Sequence, residues 1–288
     1  MAFTPINRRK FIRLGAVTGA GAVAADGILL EPNLPQLVRQ EIRLRRWPPT
    51  LDGFTIALLS DFHYDPSFSI HPLKSAIGVV NGLRPDLIAL TGDFVSVPWL
   101  RPSMTGAAMA EPCAEWLQKL HAPHGIWAVL GNHDALTDPA RITNVLHAAG
   151  IQVLANHAVP VERNGGRFWL GGVKDVLVAE ADIGATLRPV PSHESVVLMA
   201  HEPDFADEAA RHPVDLQLSG HSHGGQVRVP LVGPLYLPEL ARKYVSGLYQ
   251  IGQLSLYTTR GIGTVEVPVR FNCPPEITLL TLRPAAAS

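Results

Sequence analysis

Five times in this chain an apolar, strand-like stretch stops and a cluster of Gly, Asp, Asn or His begins at once. Residues 54–60 run into Asp61-Phe62-His63, and residues 86–91 into Gly92-Asp93. Residues 125–130 run into Gly131-Asn132-His133-Asp134, residues 195–200 into His201, and residues 215–219 into Gly220-His221-Ser222-His223. Short apolar runs of this kind read as buried strands. In layered α/β folds ligands sit where strand ends open into loops, so the pattern predicts that all five clusters meet on one edge. Helical spacing appears between them, at 73–83, 110–120, 139–149 and 204–211. Strands alternating with helices imply α/β layering. The chain becomes strand-rich after Ile151, with stretches at 151–154, 167–173, 254–259 and 276–282, the last two read as a final pair. Mixed sheets packed face to face with helices outside are therefore expected.

Composition narrows the function classes. At 288 residues and 47% apolar content the chain can bury a full core, which excludes global disorder. A net charge of −1 excludes a general polyanion-binding surface, so no general nucleic-acid binding is expected. Cys113 and Cys273 are the only cysteines, too few for a disulfide scaffold or a thiolate zinc cluster.

The N-terminus reads as an address. Asn7-Arg8-Arg9-Lys10 is followed by a mildly apolar, Gly/Ala-rich run to Leu30, interrupted by Asp26. Paired arginines before such a run match a twin-arginine export signal, which places the protein in the periplasm or cell envelope. Residues 1–31 are assigned to this signal, 32–50 to a connector, and 51–288 to the main domain. The connector carries Arg39, Arg43, Arg45 and Arg46 and is expected as a solvated helix, with contact to anionic lipid as the competing reading.

The five clusters carry a consistent chemistry. Asp61 and His63 stand at i and i+2, which points to one side of an extended chain. Asp93 offers two oxygens that can bridge two cations. Asn132 adds an amide oxygen, His201 an imidazole, and His221 and His223 two more imidazoles at i and i+2. The donors are nitrogen and oxygen only, which suits Mn, Fe or Zn without choosing among them. The other seven histidines (His71, His121, His124, His147, His157, His193 and His212) lie away from these clusters and read as surface or structural.

This order of motifs resembles the calcineurin-like metallophosphoesterase superfamily. Ser219-Gly220-His221-Ser222-His223-Gly224-Gly225-Gln226 and Arg270-Phe271-Asn272-Cys273-Pro274-Pro275-Glu276 make it similar to the exported bacterial phosphodiesterase-like branch. The resemblance implies a four-layer αββα sandwich of two mixed β-sheets flanked by helices, with two divalent or trivalent metal ions. It assigns Asp61, His63 and His223 to one ion, and Asn132, His201 and His221 to the other, with Asp93 bridging. A hydroxide held between the ions would attack phosphorus in line. His133 would protonate the leaving oxygen, and Asp134 would orient the His133 ring.

The site chemistry specifies a phosphoester without naming it. Residues 65–70 and 228–244 are the loops expected to set specificity. The second is unusually apolar, which suggests either packing under a sheet edge or a rim that meets lipid. The resemblance also admits a lipid-linked pyrophosphatase of the UDP-2,3-diacylglucosamine hydrolase type. A metal-binding scaffold without activity is the alternative from another class, and it gives no reason for His133 beside Asn132.

Overall fold

The computed structural model describes residues 25–97 and 106–286, with positions 9, 18 and 21 before them. Apart from those positions, the basic patch and apolar run at 7–24 lie outside the described residues. Among the described residues, fourteen strands follow in chain order. They are β1 (Gln36–Leu44), β2 (Phe54–Leu59), β3 (Leu87–Leu90), β4 (Ile126–Ala128), β5 (Ile151–Val153), β6 (His157–Arg163) and β7 (Gly166–Gly172). After these come β8 (Val196–Met199), β9 (Leu216–Ser219), β10 (Arg228–Val229), β11 (Gly233–Pro234), β12 (Gly247–Ile251), β13 (Leu254–Thr258) and β14 (Glu276–Pro284). The α-helices are α1 (Ile70–Leu83), α2 (Ala110–Leu117), α3 (Asn132–Thr137), α4 (Pro139–Ala148), α5 (Ile183–Leu187) and α6 (Ala206–Ala209).

Two six-stranded sheets result, ordered β1-β14-β2-β3-β4-β5 and β12-β13-β9-β8-β7-β6. Strands β2 to β5 run parallel, as do β7, β8, β9 and β13. Side chains alternate across each strand, so every sheet feeds two cores. Ile56 and Leu58 of β2 pack with Val197, Met199, Leu216 and Leu218 of the second sheet. Ala57 and Leu59 face the other way, onto Leu73 and Val80 of α1, Leu117 of α2 and Ile142 of α4. Beyond the second sheet, Val196 and Leu198 pack with Ile183 of α5 and Ala206 of α6. Three stacked apolar layers separated by two sheets are the αββα sandwich anticipated from the motifs.

The structure corrects three readings of elements. Residues 36–44, expected within a helical connector, form edge strand β1, paired in parallel with β14. Its alternating burial ends in Ile42 and Leu44 facing the inter-sheet core, a period of two that charged residues at the other positions disguise. Three of the connector's four arginines are engaged: Arg43 with Glu41, Arg46 with Asp215 and Arg45 with Gln253. Stretches 254–259 and 276–282 are not a pair. Strand β13 joins the second sheet and β14 the first, because the segment between them crosses from one sheet to the other. Helix α1 begins at Ile70, ahead of the expected 73, and closes on Arg84 in a left-handed conformation.

Candidate metal centre

The five clusters do converge, at the C-terminal ends of parallel strands β2, β3 and β4 in one sheet and β8 and β9 in the other. The backbone must turn sharply where each strand stops. Asp61, His63, Asp93, His221 and His223 all take left-handed conformations, with φ of 54°, 40°, 55°, 64° and 49°. An L-residue pays roughly 1–2 kcal/mol for that region, and such strain gathers where a site is over-determined by its surroundings. The turns are tied together: Asp61 N donates to Gly92 O at 2.9 Å and His63 N to Asp93 O at 3.0 Å. Two glycines allow the close approach. A Cβ at Gly131 would collide with Asp93 Oδ1 and the His201 ring, and one at Gly220 with Ser60 and Asp61.

Six of the seven expected ligands fall into two adjacent groups. Donor atoms of Asp61, His63 and His223 lie within 4.8 Å of one another, and so do those of Asp93, His201 and His221. Asp93 Oδ2 connects the groups, 3.4 Å from His63 Nε2 and 3.2 Å from His201 Nε2. His63 Nε2 and His223 Nε2 stand 3.0 Å apart. Two nitrogens each about 2.1 Å from one cation and at right angles would have that separation. Asn132, the seventh, opens α3, and its Oδ1 is shielded from solvent with no hydrogen-bond partner among the described residues. A buried amide oxygen without a partner, on the residue before His133, is the kind of donor a cation would satisfy. The residues present therefore fit a metal centre.

Three hydrogen bonds determine which ring nitrogen faces inward. His201 Nδ1 lies 2.5 Å from Thr91 O, and His221 Nε2 lies 2.8 Å from Glu239 O. A carbonyl only accepts, so these nitrogens carry protons and leave His201 Nε2 and His221 Nδ1 as donors. His63 Nδ1 is 2.9 Å from Ser96 Oγ, which turns His63 Nε2 toward Asp93 and His223. Outer partners of this kind orient metal-binding imidazoles.

Burial dominates the electrostatics. It pushes the His63 imidazolium down to about 3, and, with the nearby charge of His201, that of His221 down to about 4. Burial and the adjacent His63 hold His223 well below its ordinary value. These rings are neutral at physiological pH, the state that binds a cation. Burial lifts Asp61 to about 6. Asp93 overcomes the same desolvation through His201, His133 and His63 and stays well below the usual carboxylate range. His201, against its own desolvation, is held well above its ordinary value by Asp93.

His133 borders this centre. Its ring stands edge-on to His63 with centroids 4.7 Å apart, and one of its nitrogens groups with donors of His63 and Asp93. The expectation that Asp134 orients this ring is corrected. Asp134 Oδ1 accepts from Phe94 N and Val95 N, and Oδ2 from Gly131 N. Both oxygens thus bind the β3 and β4 loops to each other. Burial and the Asp93 charge push Asp134 up to about 8, while these backbone N–H groups pull the other way. The His133 ring is oriented instead by Val97 N, which donates to Nδ1 at 2.9 Å. An accepting Nδ1 puts the ring proton on Nε2.

Sequence reasoning missed the supports. Ser96, Thr91 O and Glu239 O carry no motif that could have announced them. Arg270 sits in a motif noted from the sequence, but its role is visible only in the fold. It is fully buried and donates to the carbonyls of Arg260, Gly261, Gly263 and Cys273. The 260–263 turn it holds packs on Asp61, with Ile262 N donating to Ser60 O and Gly263 N to Asp61 O. Glu276 of the same motif accepts from Arg260 and Tyr257. Both cysteines are free, and Cys273 Sγ lies 3.2 Å from His223 O.

The calcineurin-like phosphoesterase model matches residues 54–225, a span holding every one of these clusters. The chain belongs to the calcineurin-like phosphoesterases. It is 33% identical to the uncharacterized metallophosphoesterase YkuE of Bacillus subtilis, over 96% of this chain and 98% of that protein. It is 34% identical to the phosphodiesterase YaeI of Escherichia coli, over 96% of this chain and 99% of the relative. The UDP-2,3-diacylglucosamine pyrophosphatase LpxG of Chlamydia muridarum is 26% identical, over 94% of this chain and 98% of the relative. As a calcineurin-like phosphoesterase, the protein is a metal-dependent phosphoester hydrolase.

Proposed function

We propose that the protein is a phosphodiesterase with two metal ions at this centre. The observation that carries the reading is the single oxygen Asp93 Oδ2 standing between His63 and His201, so that one carboxylate serves both donor groups. On this reading Asp61, His63 and His223 hold one ion, Asn132, His201 and His221 the other, and Asp93 both. Mn, Fe or Zn in such a pair would supply a water deprotonated near neutral pH and would neutralise charge on the phosphoryl oxygens. The chain's own residues do the rest. The neutral rings of His63, His221 and His223 present lone pairs without first shedding protons. Ser96, Thr91 and Glu239 hold the rings in place. His133, whose Nδ1 accepts from Val97 N, carries its proton on Nε2 and offers it as a hydrogen bond to the departing oxygen rather than releasing it, since release would leave an imidazolate.

The comparison with YaeI supports a diester substrate, and that with LpxG supports a second reading, a lipid-linked diphosphate cleaved at its pyrophosphate. The pair Arg8-Arg9 and the apolar run after it support export by the twin-arginine machinery to the periplasm or cell envelope. Elemental analysis of the purified protein is expected to give two ions per chain. Asp93→Ala is expected to lose both, with activity falling at least about 100-fold. Two ions retained in that variant would overturn the assignment. Faster turnover of bis-p-nitrophenyl phosphate than of p-nitrophenyl phosphate supports the diesterase. Release of a nucleoside monophosphate from a nucleotide-linked acylated sugar, with poor diester turnover, supports the second reading.

A further inference from the structure

The apolar segment after the last histidine cluster does not pack under a sheet edge. It forms the β10–β11 hairpin, whose turn is Val229-Pro230-Leu231-Val232, closed by Val232 N donating to Val229 O at 3.1 Å. Pro at the second position and a positive φ at the third make this a type II turn, a position where Gly is favoured. The residue there is Leu231, with φ of 69° and a relative exposure of 108%. Val232, Leu235 and Tyr236 beside it are exposed as well. The fold gains nothing from an apolar side chain set in strained backbone and left in water. Residues 229–238 carry no Asp, Glu, Lys or Arg.

A second apolar strip lies alongside. Ile28, Leu29, Leu30 and Leu34 are exposed. Their segment is fastened to the base of the hairpin: Arg270 N donates to Gly27 O, Phe271 N to Gln226 O, and Arg228 N to Phe271 O. The mildly apolar sequence of residues 11–24 leads directly into this strip. Hairpin and metal centre share a wall. A Cβ on Gly225, two residues after His223, would collide with Pro234, and His221 bonds to Glu239 just beyond the hairpin. Scattered exposed apolar residues are ordinary, but a contiguous set at a site's rim marks a contact surface.

We propose that the β10–β11 hairpin and the Ile28–Leu34 strip form a face that inserts into a lipid bilayer, holding the metal centre at the membrane surface. An uncharged tip binds by apolar burial rather than by attraction to anionic headgroups, so zwitterionic vesicles suffice and salt does not release it. Each large apolar side chain taken from water adds about tenfold to partitioning.

The test uses the full chain with phosphatidylcholine vesicles. The triple variant Leu231→Gly, Leu235→Ser, Tyr236→Ser is expected to lose at least about tenfold in vesicle partitioning while keeping its metal content. Leu231→Gly alone is expected to leave the thermal midpoint unchanged or raised, because the turn is relieved. In Tyr236→Trp, vesicles are expected to shift the new emission to the blue and brominated acyl chains to quench it. Unchanged partitioning of the triple variant overturns the proposal, since residues 11–24 would then carry all binding. A new tryptophan already blue-shifted without lipid and unresponsive to it overturns it in favour of cover by the chain's own N-terminal segment. Dimers that disperse in the triple variant, without vesicle binding by the wild type, overturn it in favour of self-association. The readout is partitioning, so it stands apart from the identity of the substrate.

Discussion

A hydroxyl 2.9 Å from His63 Nδ1 gives Ser96 a role that its place in the sequence does not announce. Removing it leaves the ring free to rotate or to change tautomer. Ser96→Ala is expected to weaken metal binding about 10–100-fold with the fold intact, read by competition against a chelator. His133 makes the opposite prediction. Its Nδ1 is occupied by Val97 N–H, so the ring works through the proton on Nε2. His133→Ala is expected to keep metal content and lose about 10²–10⁴ in kcat, more for poor leaving groups than for p-nitrophenolate. A loss of metal in that variant would make His133 a ligand, and equal losses across leaving groups would remove its role at the leaving oxygen. That Asp61, His63, Asp93, His201, His221 and His223 would gather at one edge was legible from the sequence because each follows an apolar strand. The role of Asp134 was not legible. Adjacency to His133 suggested contact, but side chains one residue apart at the start of a helix point in different directions. Asp134 therefore reaches the β3 loop instead of the neighbouring ring.

Among elements, the crossing from β13 to β14 does the most for the site. It carries Arg270 into a fully buried position, satisfied by the backbone carbonyls of Arg260, Gly261, Gly263 and Cys273. That turn backs Asp61. Arg270→Met is expected to destabilise the protein by about 3–5 kcal/mol, measured by urea denaturation, since several buried carbonyls lose a charged donor together. Arg270→Lys is expected to recover little of this, because an ammonium cannot match the planar fork of donors. The misreading of the last two strands as a pair has the same origin. Hydrophobic pattern marks a strand but not the sheet it joins, and a long connection can return to either. Strand β1 was missed for a related reason. An edge strand with Arg39, Glu41 and Arg43 on its open face reads as a polar helix until its partner β14 is known.

At the scale of the whole molecule, the proton inventory of the centre links pH, metal and stability. Asp134 is pushed up to about 8, and burial with Asp175 as neighbour holds Glu202 well above the usual carboxylate range. Asp93 keeps His201 charged above its ordinary range, against the desolvation of that ring. Between pH 6.5 and about 8 the metal-free folded protein thus binds protons that the unfolded chain has released, so stability falls as pH rises through that window. His63 and His221, depressed to about 3 and about 4, act with the opposite sign only below about pH 6.5. A chelator-treated sample is expected to show a thermal midpoint that declines from pH 6.5 to 8. Metal is expected to raise the midpoint across the window, most at the alkaline end where fewer protons compete for the donors. A midpoint for the metal-free protein that rises with pH would contradict the buried-acid assignment. The sequence by itself determined the layer class, the strand-end clusters and the nature of their donors, because apolar runs and donor side chains are local properties of the chain. Only the tertiary structure decided that Asp93 lies between two groups, that Asp134 serves the backbone, that Arg270 braces Asp61 and that Leu231 faces solvent. Those facts depend on which segments of distant sequence pack against each other, and packing is set by the closing of two sheets over a common core.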